Sequence, residues 1–419
     1  MKKTFIVLIL FGTLLGWACT RKSSTATAPK VDDDAFNQEA SLAFQSKTLD
    51  NDSTIRVFLE MGLNRTYTEN AVQKFIADFS ASYTILPEYT SKQVLKQSKV
   101  TLSANAVRQT GPGQFKFYFD VPKLVVPNAV LMLEMLETRT NTRTVHDVPL
   151  EFKPARMSDR FAVFGPKGDI PLLTTYVHTF DTLRFSDLKQ STKQLLVDRY
   201  AFDFDPAASP MGSTARNVPK TLPIDTSFTM RSNQLFILSE PGLYFFREDT
   251  SAVNGIGVLV TGKRYPRLTR PEELVKPLIY ISTKNEIREL NSTNAPKKTL
   301  DTYFMRLTGN NESKARRTIK SYYRRVNMAN ELFTTYKEGW KTDMGMIYIV
   351  LGKPDEITRL KDKEVWSYTQ NANFSEINFT FIRKPNQFVE DHYELVRYVE
   401  YEPIWYPIVE EWRTGMVER

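Results

Sequence analysis

Imidazole and thiol are scarce in this chain: His146, His178 and His392 are its three histidines and Cys19 its one cysteine. The histidines fall in separate stretches, so no two share the spacing that would place both rings on one metal ion. H-E-x-x-H, C-x-x-C and G-x-S-x-G are absent, which leaves zinc-assisted hydrolysis, dithiol exchange and a serine nucleophile without a recognisable seat. A phosphate-cradling G-x-x-x-x-G-K-[ST] loop is absent too. Gly255-Ile-Gly257 opens like a dinucleotide-binding turn, but Val260 stands where the third glycine belongs. Carboxylate pairs such as Asp203/Asp205 and Asp355/Glu356 occur, as they would in any chain with 48 acids, and nothing sets the separation that glycoside hydrolysis needs. The expectation is a protein with no catalytic residues, no metal and no cofactor.

The densest stretch is KEGWKTDMGMIYIVLGKPDE, from Lys337 to Glu356. Gly339 is suited to ending a long helix through a left-handed conformation. Trp340 has a wide apolar body with which to close the seam between that helix and a strand read over Met346 to Leu351. Thr342 and Asp343 suit hydrogen bonds to backbone N–H groups of the turn, and Gly352 and Pro354 make the next corner. These residues are expected to form a structural corner, with no catalysis required of them.

The helix that leads into this corner is read over Pro296 to Tyr336. Ala315, Ile319, Tyr322, Val326, Ala329, Phe333 and Tyr336 recur at steps of four and three, one apolar stripe. The other face carries Lys314, Arg317, Lys320, Arg324 and Arg325. A solvated basic face is the default reading. The competing one makes Arg317, Lys320 and Arg324 contacts for lipid headgroups, cell-wall polymer or an acidic partner. Glu272 to Ile281 reads as a further helix, and strands at Val365–Tyr368, Ile377–Ile382 and Tyr393–Val399 complete an α+β unit.

Upstream the period is two. Ile55, Val57, Leu59 and Met61 alternate with polar neighbours, as do Phe115, Phe117, Phe119 and Val121, with Gly111-Pro112-Gly113 as a turn before the second run. A second β-rich block runs from about Arg160 to Gly262. Inside it, Asp205 to Asp225 carries four prolines and reads as a long, disordered loop. The 27 phenylalanines and 19 tyrosines suit well-filled sheets. A formal charge of +8 over 419 residues is mild and favours neither nucleic acid nor a strongly acidic substrate.

At the N-terminus, Lys2 and Lys3 precede an apolar run that reaches Ala18 and Cys19. This is the pattern of an export signal, shorter than the ~20 residues of a membrane-spanning helix. The cysteine behind a small residue resembles the lipobox of bacterial lipoproteins, in which the cysteine is acylated; an ordinary secretory signal is the alternative. TRKSSTATAPK, from Thr20 to Lys30, is then a flexible tether. In lipoproteins of the Bacteroidota type an acidic cluster directly behind the cysteine marks export to the cell surface, so the resemblance, with no such cluster here, implies an anchor facing the periplasm. A single cysteine excludes an internal disulfide, so stability must come from packed cores.

Tyr322-Tyr323-Arg324-Arg325-Val326, Ala329-Asn330 and Phe333, followed by Gly339-Trp340-Lys341-Thr342-Asp343 and Ile347 to Glu356, resemble the GWxTD domain. That family consists largely of exported bacterial envelope proteins, common in Bacteroidota, with no assigned activity. The likeness covers about Lys276 to Val399. Met344 departs from it, standing where a basic residue is usual. A looser likeness, through Leu351-Gly-Lys-Pro-Asp355 and Trp366-Ser-Tyr368, is to small lipoproteins that assist the outer-membrane barrel-insertion machine.

The expected organisation is a signal peptide over 1–18, a lipid-anchored linker over 19–47 and two antiparallel immunoglobulin-like β-sandwiches over 48–153 and 154–270. An α+β GWxTD domain over 271–419 follows. The resemblance implies an envelope lipoprotein, and the expected location is the outer membrane, facing the periplasm. It would serve as a non-catalytic binding or scaffold subunit of an envelope complex for secretion, transport or barrel assembly, with no nucleic-acid partner. A protein that binds or acts on cell-wall or surface polysaccharide is the alternative.

Overall fold

The computed structural model describes residues 42–417, apart from 213–220, 253, 293 and 372–373. Cys19, the tether and the run Asp32–Asp34 lie outside the described residues. Five sheets, almost entirely antiparallel, and a helical region in the C-terminal part make up the fold.

In the first β block the alternating residues do what their period requires. One sheet has the strand order Leu42–Asn51, Thr54–Leu63, Gln114–Pro122, Val107–Gly111. The other runs Lys96–Val100, Phe79–Leu86, Asn128–Glu137, Thr142–Glu151. Ile55, Val57, Leu59, Phe115 and Phe117 from the first meet Ala81, Tyr83, Leu131 and Leu133 from the second in one core. Helix α1 (Ala71–Asp78) closes one end of this core, stacking Phe75 on Phe115 at 4.4 Å between ring centroids. Each fully buried phenylalanine contributes roughly 1.5–3 kcal/mol over its exposed state. Phe58 breaks the alternation: it points to the opposite face, yet is fully buried, because Ala162, Phe164 and Ile170 of the second block cover it.

The second block pairs a five-stranded sheet with a three-stranded one (Phe161–Phe164, Thr182–Asp187, Leu235–Ile237). Within the larger sheet Tyr176–His178 runs parallel to Ile256–Thr261, the one parallel pairing among the described strands. Phe185 and Phe246 stack across the two sheets at 4.7 Å.

Beyond residue 270 come α2 (Pro271–Val275), α3 (Lys284–Asn291), α4 (Pro296–Leu307), α5 (Glu312–Phe333) and α6 (Asp343–Leu351). A four-stranded antiparallel sheet (Glu356–Leu360, Lys363–Asn371, Phe374–Arg383, Tyr393–Leu395) and α7 (Glu402–Thr414) follow. The expected single helix over Pro296 to Tyr336 is two. Gly309 and Asn310 both take positive φ, 64° and 60°, and the Asn311 side chain then accepts the Lys314 N–H to start α5 afresh. A second correction concerns Met346 to Leu351, read as a strand and found in helix α6. All six residues are buried, so the segment shows no polar face by which period 3.6 could be told from a buried strand.

The three parts touch pairwise. Beyond the Phe58 contact, Arg359 of the last sheet donates to Asp147 of the first block at 2.8 Å. Gly257 N donates to Phe388 O at 2.7 Å, joining the second block to the C-terminal part.

Candidate functional site

The GWKTD residues form a corner that only close approach of backbones allows. After α5 ends at Phe333, the chain folds back and places Gly339 against that same helix. A Cβ on Gly339 would stand 2.0 Å from the Ala329 carbonyl oxygen, and one on Gly345 would stand 1.9 Å from that of Gly339. Both positions exclude any larger residue. The left-handed turn expected at Gly339 does not occur there: its φ is not positive, and the glycine is required by crowding.

Backbone groups brought this close must be satisfied from within. Asn330, fully buried, accepts the Trp340 N–H at 3.0 Å and donates to Pro266 O at 3.0 Å. Gly339 N–H is shared between the Thr334 hydroxyl at 3.1 Å and the Tyr265 hydroxyl at 3.3 Å, and those two hydroxyls bond to each other. Burial raises the Tyr265 phenol well above its ordinary pKa, keeping it neutral. Tyr280 donates to Trp340 O at 2.8 Å, and the indole itself is 3% exposed.

Thr342 caps α6: its hydroxyl accepts Gly345 N–H at 3.0 Å and donates to Gly339 O at 2.8 Å. Asp343 reaches away from its own helix. It accepts Leu395 N–H at 2.8 Å and holds Arg397 through contacts of 2.6 and 3.2 Å, with both side chains below 10% exposure. The carboxylate thus fastens α6 to the last strand of the sheet. At the other end of α6, Arg325 donates to the carbonyls of Ile349 and Val350 at 3.2 and 2.9 Å and lies over the Trp412 ring. A cation there also suits the negative end of the helix dipole. Arg325 therefore does not belong to the solvated basic face on which it was expected. Gly352, with φ 93°, ends α6 and accepts the Tyr368 hydroxyl at 2.8 Å; Pro354 is buried beside it.

Lys341, the variable position of the motif, is 2% exposed and pairs with Glu338 at 2.8 Å and with Asp203. Partial burial pushes Asp203 up, but its bonds to Lys341 and Lys276 outweigh this and hold it below the ordinary carboxylate range. Asp203 begins a strap from the second block that crosses the corner. Lys337 donates to Asp205 O at 3.1 Å, Ala207 N–H donates to Tyr280, and Arg397 donates to Ser209 O at 3.2 Å. The loop expected to be disordered is, over residues 205–212, packed on the motif; its residues 213–220 lie outside the described residues. Asp203 and Asp205 are engaged in this strap, and Asp355 and Glu356 are exposed at the start of a strand.

Of the basic residues singled out on α5, Arg317 and Lys320 are exposed and Arg324 is half-buried. Four other cations escaped the sequence reading. A cleft of about 620 Å³ lies between the second block and the corner, walled by Phe204, Leu243, Leu259 and Trp340. Its rim is the connecting segment Gly262–Arg270, GKRYPRLTR, which supplies Lys263, Arg264, Arg267 and Arg270. The signal was present as four cations without an acid in eight residues. The partners Tyr265, Tyr280 and Arg397 carried no such signal, since only folding brings them to the motif.

Among curated proteins, none matches this chain. A solved structure, dimeric latent PorU from Porphyromonas gingivalis, aligns at 12% identity over 57% of this chain and 21% of that one. The TM-score is 0.23, and the chain spans about a fifth of that protein's length. A family model, the GWxTD domain, matches residues 242–414. The match opens at the strand Gly242–Arg247, inside the second β block, upstream of the boundary expected at residue 271. Those strands contact the C-terminal part directly, through Gly257 and Phe388. The corner described above holds the motif for which that family is named, and this chain carries a GWxTD domain.

Proposed function

We propose that this protein is a non-catalytic binding or scaffold subunit of an outer-membrane complex, tethered through an acylated Cys19 and facing the periplasm. In this reading residues 48–153 and 154–270 are immunoglobulin-like sandwiches that carry the GWxTD domain, and the complex serves secretion, transport or barrel assembly. One observation supports the reading most: the polar groups of the motif are engaged with the protein's own backbone and side chains, as a load-carrying corner requires.

Recovery of the native protein in mild detergent, with mass spectrometry of what accompanies it, is the test. A stoichiometric membrane partner is expected, together with release of Cys19→Ser into the soluble periplasmic fraction. A monomer that binds or cleaves purified glycan would overturn the reading in favour of a polysaccharide-directed protein. Reversal of Arg317, Lys320 and Arg324 to Glu asks whether the basic face of α5 contributes; an unchanged recovery returns that face to solvent.

A further inference from the structure

The rim of the cleft is unusual in how its charges are disposed. Five cations and three carboxylates line it. All three carboxylates are occupied: Asp203 by Lys341 and Lys276, Glu338 by Lys341, and Glu273 by the N–H groups of Thr269 and Arg270 at 3.4 and 3.3 Å. Lys276 is occupied with them. Lys263, Arg264, Arg267 and Arg270 remain, exposed, and none forms an ion pair among the described residues. Arg264 makes one bond, to the Thr269 hydroxyl at 3.2 Å. Four like charges in eight residues repel one another, and this stretch keeps them together beside a concave surface.

That stretch is also held in place. Tyr265, in its middle, is 9% exposed and hydrogen-bonded to Gly339 N–H and Thr334, and Pro266 O accepts from Asn330. The same network that builds the motif corner therefore fixes the backbone from which the four cations project. The cleft beneath has apolar and aromatic walls and a volume in the range of small-molecule sites, roughly 300–1,000 Å³. Guanidinium forks match oxyanions through paired N–H donors, and a tetrahedral phosphate offers enough oxygens to meet several at once.

We propose that this cleft binds a phosphate ester: the phosphate at the rim formed by Arg264, Arg267 and Arg270, and the organic body against Phe204, Leu243 and Trp340. The ligand is either a soluble sugar phosphate or the headgroup of a phospholipid, which share this chemistry. The proposal does not depend on the identity of any partner complex.

Calorimetric titration of the purified full chain tests it, with glucose 6-phosphate against glucose as one arm. Short-chain, monomeric phosphatidylglycerol against the phosphate-free diacylglycerol of the same chain length is the other arm. At least one anionic member is expected to bind while its partner in the pair does not, and the arm that binds identifies the source. Combined Arg264→Ser, Arg267→Ser and Arg270→Ser should weaken binding by about tenfold or more, since several charge-assisted bonds are lost. Lys92→Ser with Lys99→Ser, exposed cations of the first β block, should leave the affinity unchanged. Should the triple variant unfold early, Arg267→Ser alone carries the test, with a several-fold weakening expected. Binding of neither anionic probe, equal binding of the phosphate-free member of its pair, equal binding by the cleft variants, or equal loss in the Lys92/Lys99 variant would overturn the proposal.

Discussion

The motif corner and the cleft beside it share a wall, Trp340, and a hydrogen-bond network, yet they treat polar groups in opposite ways. At Gly339–Asp343, donors and acceptors meet partners inside the protein, and the motif's one lysine is 2% exposed between two carboxylates. At Lys263–Arg270 the cations stand in solvent without ion pairs among the described residues. In the corner, Gly339 and Gly345 leave no room for a larger residue. Open recognition chemistry needs no such constraint and lies next to the motif.

Substitutions in the two regions should therefore act on different quantities. Trp340→Ala empties a buried indole site and should cost roughly 3–5 kcal/mol in chemical denaturation of the full chain. Gly339→Ala forces a methyl against the Ala329 carbonyl, and about 3 kcal/mol is expected from overpacking, read in the same way. A loss under 1 kcal/mol in either case would mean that the corner has slack.

Acid should loosen a different joint. Arg413, donating to Glu286 at 2.9 and 3.0 Å, holds that carboxyl down at about 2, from an ordinary 4.5. A depressed folded pKa means that the stability this pair contributes is present above the unfolded value and is lost as pH falls from about 4.5 to about 2. Glu286→Gln should flatten the unfolding profile over that window; an unchanged slope would remove the pair from the acid response. Smallest of all, Arg264→Ser, Arg267→Ser and Arg270→Ser should each move stability by less than about 0.5 kcal/mol, as exposed side chains do. A larger loss in thermal unfolding would mean that the rim is structural and that the contrast between the two regions is false.

The β-rich organisation was legible because one-sided burial writes itself as alternation, seen in Ile55 to Met61 and Phe115 to Val121. Where burial is all-round, as from Met346 to Leu351, alternation and helical period both vanish, and a helix was read as a strand. The split between α4 and α5 was written in Gly309-Asn310 but was outweighed by a stripe that continued across it. The motif itself was legible as a corner-forming run of residue types. Its partners were not: Asp203 meets Lys341 from 138 positions away, and Arg397 meets Asp343 from 54. Such pairings are decided by topology, and a single sequence carries no local trace of them.

Asp343 is the residue at which a structural corner and a working site make opposite predictions. Asp343→Asn leaves Arg397, itself 8% exposed, without its counter-charge, and about 3 kcal/mol of stability should go with it. The decisive measurement is denaturant unfolding of the full-chain variant alongside recovery of the proposed membrane complex from cells. Stability and complex recovery are predicted to fall together, and Asp343→Asn with Arg397→Met should regain part of both. A variant as stable as the wild type that has nonetheless lost its partner would contradict the structural corner and make the motif a working site.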